Sequence, residues 1–128
     1  MPKIVPQALK GIRIADPTWL LASAGTTTTL ANLGAEIIRI EWPERLDFTR
    51  YDPMGTVPPL ASGKFVFMHR PGVTLTPNPN RAGVFNDRNA GKQSITLNMG
   101  RPEGRELFKR LVAISDVVIE GFTAPTMH

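Results

Sequence analysis

An α/β fold built on a doubly wound parallel sheet is what the 128-residue sequence predicts, on three observations. Short β-branched runs alternate with helical stretches, which is the pattern of parallel sheets. The strand-helix-strand unit occurs twice, near each end of the chain. The run Asp116-Val117-Val118-Ile119-Glu120 is almost continuously apolar, as strands buried on both faces are.

The elements follow in order. Gly11-Ile12-Arg13-Ile14-Ala15-Asp16 reads as a strand stopped by Pro17. From Ala22 to Leu33, small residues, the threonines Thr26 to Thr29, and Leu30, Ala31 and Leu33 predict a helix with Ser23 as its cap and Gly34 just past its end. Threonine is a poor helix former, so packing must support that helix. Ala35 to Glu41 is the second strand, ended by Trp42-Pro43. In the second unit Ser94 to Asn98 is a strand and Pro102 to Ile114 a helix. Its Pro102 suits the first helical position, Glu103 and Glu106 the early turns, and Lys109 and Arg110 the end. Leu107, Phe108, Leu111 and Val112 form its apolar stripe. Right-handed crossovers then give two βαβ units in one sheet. They are joined by the stretch Trp42 to Gln93, with 7 of the 12 prolines and 5 of the 11 glycines. A structureless loop of that length is foreign to a compact domain, so it is expected to be a functional excursion or a segment awaiting a partner surface.

Composition removes several function classes. There is no cysteine and only two histidines, which argues against a disulfide scaffold, a thiolate zinc site, a cysteine nucleophile and a histidine metal site. No apolar run approaches the roughly 18 residues of a membrane-spanning helix, and Met1-Pro2-Lys3-Ile4-Val5-Pro6 lacks a secretory apolar segment. The expected location is the cytoplasm. The net charge of +4 resides between Arg81 and Arg110. Such a local excess suits a small polyanion, a nucleic acid or a solvated face. Only Phe85 and Phe108 interleave with it, so a phosphorylated small molecule ranks above nucleic acid.

Chemistry-bearing motifs are sparse. There is no G-x-G-x-x-G, no Walker A and no G-x-S-x-G; Gly91-Lys92-Gln93-Ser94 fails the second of these. His69 lies among Pro and Gly with no nucleophile beside it. Asp16, Glu41 and Glu120 stand at carboxyl ends of predicted strands, where open parallel sheets bind ligands. They line a crevice or, as is commoner, cap turns and helix starts. Leu20-Leu21-Ala22-Ser23-Ala24-Gly25 is a small-residue turn that admits a ligand to a helix N-terminus or serves close helix-to-sheet packing. Trp42 either stacks on a ring or covers the sheet edge.

Leu9-Lys10-Gly11-Ile12-Arg13-Ile14-Ala15-Asp16, Leu33-Gly34-Ala35-Glu36-Ile37-Ile38-Arg39-Ile40-Glu41, Gly91-Lys92-Gln93-Ser94-Ile95-Thr96-Leu97-Asn98, Pro102-Glu103-Gly104 and Asp116-Val117-Val118-Ile119-Glu120-Gly121-Phe122 stand in this order. Together they resemble the opening of the family III CoA-transferases, the CaiB/BaiF family, which includes formyl-CoA and carnitine CoA-transferases and acyl-CoA racemases. The resemblance implies a Rossmann-like doubly wound sheet, with residues 1–128 as the N-terminal portion of the large CoA-binding domain. It implies transfer of CoA between an acyl-CoA and a carboxylic acid through aspartyl anhydride and thioester intermediates, in an interlaced homodimer, with no metal, nucleic acid or membrane partner. By position it places CoA contacts on Leu20, Leu21, Ala22, Leu97, Gly121 and Phe122, and the basic excess around Lys92 and Arg101 would face the anionic cofactor. Trp42 replaces a frequent basic residue and Gly121 a frequent Asn. None of Asp16, Asp47, Asp52, Asp87 or Asp116 matches the family's nucleophile, so no catalytic residue is assigned and the 128-residue chain is expected to be a fragment, inactive alone. The alternatives are an acyl-CoA racemase fragment and a non-catalytic CoA- or nucleotide-binding module.

Overall fold

A computed structural model describes residues 7–50, 80 and 82–123 of the chain. Four parallel strands form one sheet: β1 (Arg13–Asp16), β2 (Glu36–Glu41), β3 (Gln93–Thr96) and β4 (Val117–Val118), in the order β3-β2-β1-β4. Helix α1 (Ala22–Asn32) joins β1 to β2, α2 (Gly83–Arg88) precedes β3, and α3 (Pro102–Ala113) joins β3 to β4. The order runs outward from β1 to β3 and then jumps back past β1. That reversal is the switch point of a doubly wound sheet, and it lies between β1 and β4. A right-handed return places α3 on the face opposite α1.

The apolar core lies between α1 and the sheet. Ile14, Ala35 and Ile37 are buried together, with Leu9, Ile12, Leu30, Ala31 and Ile119 packed against them. At the amino ends of the strands, Arg13 holds three elements. Its N–H donates to Asp116 Oδ2 at 2.8 Å, its Nε pairs with Glu36 at 2.6 Å and its Nη1 donates to the Ile114 carbonyl.

The helix ends explain themselves in part. Gly34 follows α1 at φ +100°, a left-handed value that glycine adopts without strain, and its N–H caps the Ala31 carbonyl. Ser23 does not cap α1: the helix begins after Leu21 without a side-chain cap, because Ser23 already lies inside it. Pro102 opens α3 as expected, with Glu103 in the first turn. The expected structureless stretch Trp42 to Gln93 is corrected at both ends. A 3-10 turn spans Phe48–Arg50 and α2 occupies Gly83–Arg88; residues 51–79, with Asp52 and His69, and residue 81 lie outside the described residues. Periodicity missed both because each is a turn or two long. Among the described residues no helix is long and apolar enough to cross a membrane.

Gly104 is buried where α3 crosses its own leading turn. A Cβ there would stand 1.9 Å from the Asn98 carbonyl oxygen, a backbone atom that cannot swing away. Gly104→Ala is therefore expected to lower unfolding free energy by about 2 kcal/mol, read by urea titration.

Candidate functional site

The carboxyl ends of the strands carry a polar network that the sequence did not announce. Asp16, the last residue of β1, is fully buried. Its Oδ1 accepts the N–H and hydroxyl of Thr18, while Oδ2 accepts the Thr27 hydroxyl at 2.8 Å and lies 3.2 Å from Lys92 Nζ. Lys92 also donates to the Ala24 carbonyl at 2.9 Å and to Asn89 Oδ1 at 3.0 Å, so all three of its protons are used. Burial pulls the Lys92 ammonium below its ordinary pKa by more than the Asp16 charge restores. Lys92 therefore does not face a cofactor, which corrects the expectation drawn from the basic excess. Counting charge along the chain cannot tell a buried lysine from a solvated one.

Arg39 pairs in register with Asp16 on the neighbouring strand and is equally buried. It donates Nη2 to Asp47 Oδ2 at 2.5 Å, and its Nε lies 3.6 Å from Glu41 Oε1. Its Nε and Nη1 have no hydrogen-bond partner among the described residues. The buried Phe85 ring covers the guanidinium instead, at 5.2 Å. Arg50 lies on the same ring at 3.5 Å and grips Glu41 with two bonds, 2.7 and 2.9 Å, a fork-to-carboxylate geometry that Ser94 completes. Burial alone would raise the Glu41 carboxyl. The bonds from Arg50 and Ser94, with the charges of Arg50 and Arg39, outweigh it and hold the pKa below the ordinary value.

Beside this network lies the switch point. Leu20 sits at φ +64°, left-handed and unusual for a branched side chain, and donates its N–H to Asp47 Oδ2 at 3.3 Å. The chain then enters α1, whose first turn has neither a side-chain cap nor an acidic residue, so its positive end is uncompensated. Gly121, after β4, touches that turn: a Cβ would stand 2.2 Å from Ser23 Oγ. Phe122 meets Trp19 edge to face at 5.9 Å between centroids, and the Arg45 guanidinium lies 5.3 Å over Trp19. Trp42 bridges back to Arg45, the arginine that lies over Trp19 in the β1–α1 connection.

Of the six positions singled out for CoA, the fold gathers Leu20, Leu21, Ala22, Gly121 and Phe122 at the switch point. Leu97 lies elsewhere along the same edge: it follows β3, is buried, and donates its N–H to the Glu41 carbonyl at 2.9 Å. Trp19, Arg45 and Asp47 were missed. Trp19 lies between a strand and a helix, and Arg45 and Asp47 in the proline-rich stretch after β2, so none gave a periodic signal; only the short spacing Asp47-Phe48-Thr49-Arg50 after a strand marked a turn. Glu120 caps its own turn, accepting the Phe122 N–H at 2.7 Å. Asp16, Glu41 and Asp47 are occupied by their partners, and Asp116 lies at the opposite end of the sheet. Among the described residues no cluster of three metal-ligating side chains occurs. The arrangement is suited to holding an anionic ligand with an aromatic ring.

Comparison with known proteins identifies the family. The model of CoA-transferase family III matches residues 9–128. The succinyl-CoA:mesaconate CoA-transferase of Haloarcula marismortui is 33% identical over 121 residues, 94% of this chain and 26% of that protein. The succinate–glutarate CoA-transferase of Agrobacterium fabrum is 35% identical over 122 residues, 95% of this chain and 26% of that protein. A CAIB/BAIF family protein from Brucella suis superposes with a TM-score of 0.69 at 33% identity, over 96% of this chain and 28% of that one. The chain thus spans about a quarter of the length of the relatives it matches.

Because the Glu41 pKa is lowered on folding, its stabilising contribution is complete above the ordinary value of 4.5 and disappears as pH falls through the lower folded value. Glu41→Gln should cost about 2 kcal/mol at pH 7 and flatten the loss of stability below that point. Urea titrations between pH 3 and 7 read both effects.

Proposed function

Since the chain belongs to CoA-transferase family III, we propose that it binds CoA esters at the switch point between β1 and β4 and serves transfer of CoA between an acyl-CoA and a carboxylic acid. One observation carries this reading: the uncapped, acid-free start of α1 meets Gly121, with Phe122 on the neighbouring Trp19, at the place where doubly wound sheets bind nucleotides. A phosphate group is favoured there by the free N–H groups of the first turn. The Trp19–Phe122 pair offers aromatic surface to the adenine.

The residues assigned are Leu20, Leu21, Ala22, Gly121 and Phe122 around the turn, with Leu97 farther along the same edge. Backbone groups rather than charged side chains meet the cofactor in this reading. Lys92 contributes by tying the Ala24 carbonyl to Asp16, which holds the first turn of α1 on the sheet. The sheet is read as the N-terminal portion of a larger CoA-binding domain, in an interlaced homodimer as the resemblance implies, with the cytoplasm as its expected location. Succinyl-CoA is the donor named for the Haloarcula relative, which makes it the first to try.

Two measurements test the proposal. Calorimetric titration with CoA should show binding that Gly121→Val weakens about tenfold or more, since the added side chain must push Ser23 and the helix start aside. Absence of binding at millimolar CoA would overturn it. Incubation of the gene product with succinyl-CoA and mesaconate or glutarate, followed by chromatography of the CoA esters, reads the transfer itself.

A further inference from the structure

We propose that Asp47 is a positioning residue for the cofactor turn: its buried carboxylate, held by Arg39 and Thr49, keeps Leu20 in the left-handed conformation from which the chain enters α1. This rests on the CoA-binding reading of that turn. Leu20 is the one non-glycine residue at positive φ among the described residues. Such a conformation costs a leucine about 1 kcal/mol or more and persists where surrounding structure imposes it.

The imposing contacts come from one segment. Asp47 lies 27 residues downstream of Leu20, in the turn that follows β2. Its Oδ1 accepts the N–H and hydroxyl of Thr49 at 2.9 and 2.8 Å, which fixes the carboxylate plane. Oδ2 is shared between the Arg39 guanidinium and the Leu20 N–H. Two residues earlier Arg45 covers Trp19, so the segment grips adjacent residues of the β1–α1 connection by two independent contacts. The charge-assisted bond from Arg39 fixes Oδ2 beside the part-buried Leu20 N–H. Among the described residues the Asp47 carboxylate bonds to Arg39, Thr49 and Leu20, and of these only Leu20 belongs to the cofactor turn. Its influence on the ligand therefore passes through Leu20.

The test is a double-mutant cycle on the intact gene product with succinyl-CoA. Asp47→Asn should raise KM for the CoA ester about tenfold, the loss falling on KM rather than kcat, because an amide is a weaker acceptor for the Leu20 N–H. In the Leu20→Gly background the same substitution should change KM by less than about twofold, since glycine holds a positive φ without help. Equal effects in both backgrounds would overturn the proposal. Hydrogen exchange at the Leu20 amide gives a reading independent of ligand, with Asp47→Asn expected to accelerate it and unchanged protection counting against the clamp. Should Asp47→Asn not fold, Thr49→Val frees the same carboxylate more gently and should raise KM about threefold, again only with Leu20 in place. A wild-type protein that binds no CoA ester would remove the functional reading, and the amide exchange would then decide the clamp alone.

Discussion

The pairing of Asp16 with Lys92 and of Arg39 with Asp47, beside the Glu41–Arg50 fork, is the constraint on which the carboxyl edge of the sheet depends. Three acids and three bases are brought out of water on one face, so the cluster is neutral as a whole. Each member is costly alone and tolerable only with its partners in place. Because Asp16 ends β1, Arg39 and Glu41 lie on β2, and Lys92 and Ser94 frame the start of β3, the cluster fixes the relative positions of three strand ends. Lys92 extends that hold to α1 through the Ala24 carbonyl. Phe85 of α2 packs against both Arg39 and Arg50, which gives the short helix its reason to sit there.

Much of the fold was legible because it rests on period and punctuation. The runs around Ile14, Ile37, Ile95 and Val117 carry the β-branched signal that four parallel strands require, and Gly34 and Pro102 punctuate α1 and α3. Right-handed connection adds topology to order. What periodicity could not supply was α2, whose single buried ring is no stripe, or the start of α1, where Ser23 looked like a cap and the left-handed Leu20 turns the chain before it. A leucine gives no advance sign of positive φ; the contact that imposes it lies far along the chain.

The candidate site divides in the same way. Its location followed from the strand ends and from family motifs, and the fold brings five of the six named positions to one place. Its support did not follow. Lys92 read as one more surface cation, and the four threonines as a poor helix, whereas Thr27 uses its hydroxyl to complete the Asp16 shell. Charged residues are assigned to the surface by default, and only three-dimensional proximity of opposite signs overturns that default.

A buried ion pair can often be replaced by apolar side chains without loss of stability. That substitution is not open here, because the cluster does more than neutralise itself. Its oxygens and protons end on backbone groups: the N–H of Thr18, Leu20 and Thr49, and the carbonyl of Ala24. The three N–H groups lie outside the strand ladders, where the chain turns, while Ala24 belongs to the first turn of α1. An apolar core at this edge would leave the three N–H groups unpaired, at a cost of about 1–3 kcal/mol for each one buried. A sheet that presents irregular backbone at its carboxyl edge therefore needs side-chain donors and acceptors beneath it. Three carboxylates answered by three cations meet that need without leaving net charge in the interior.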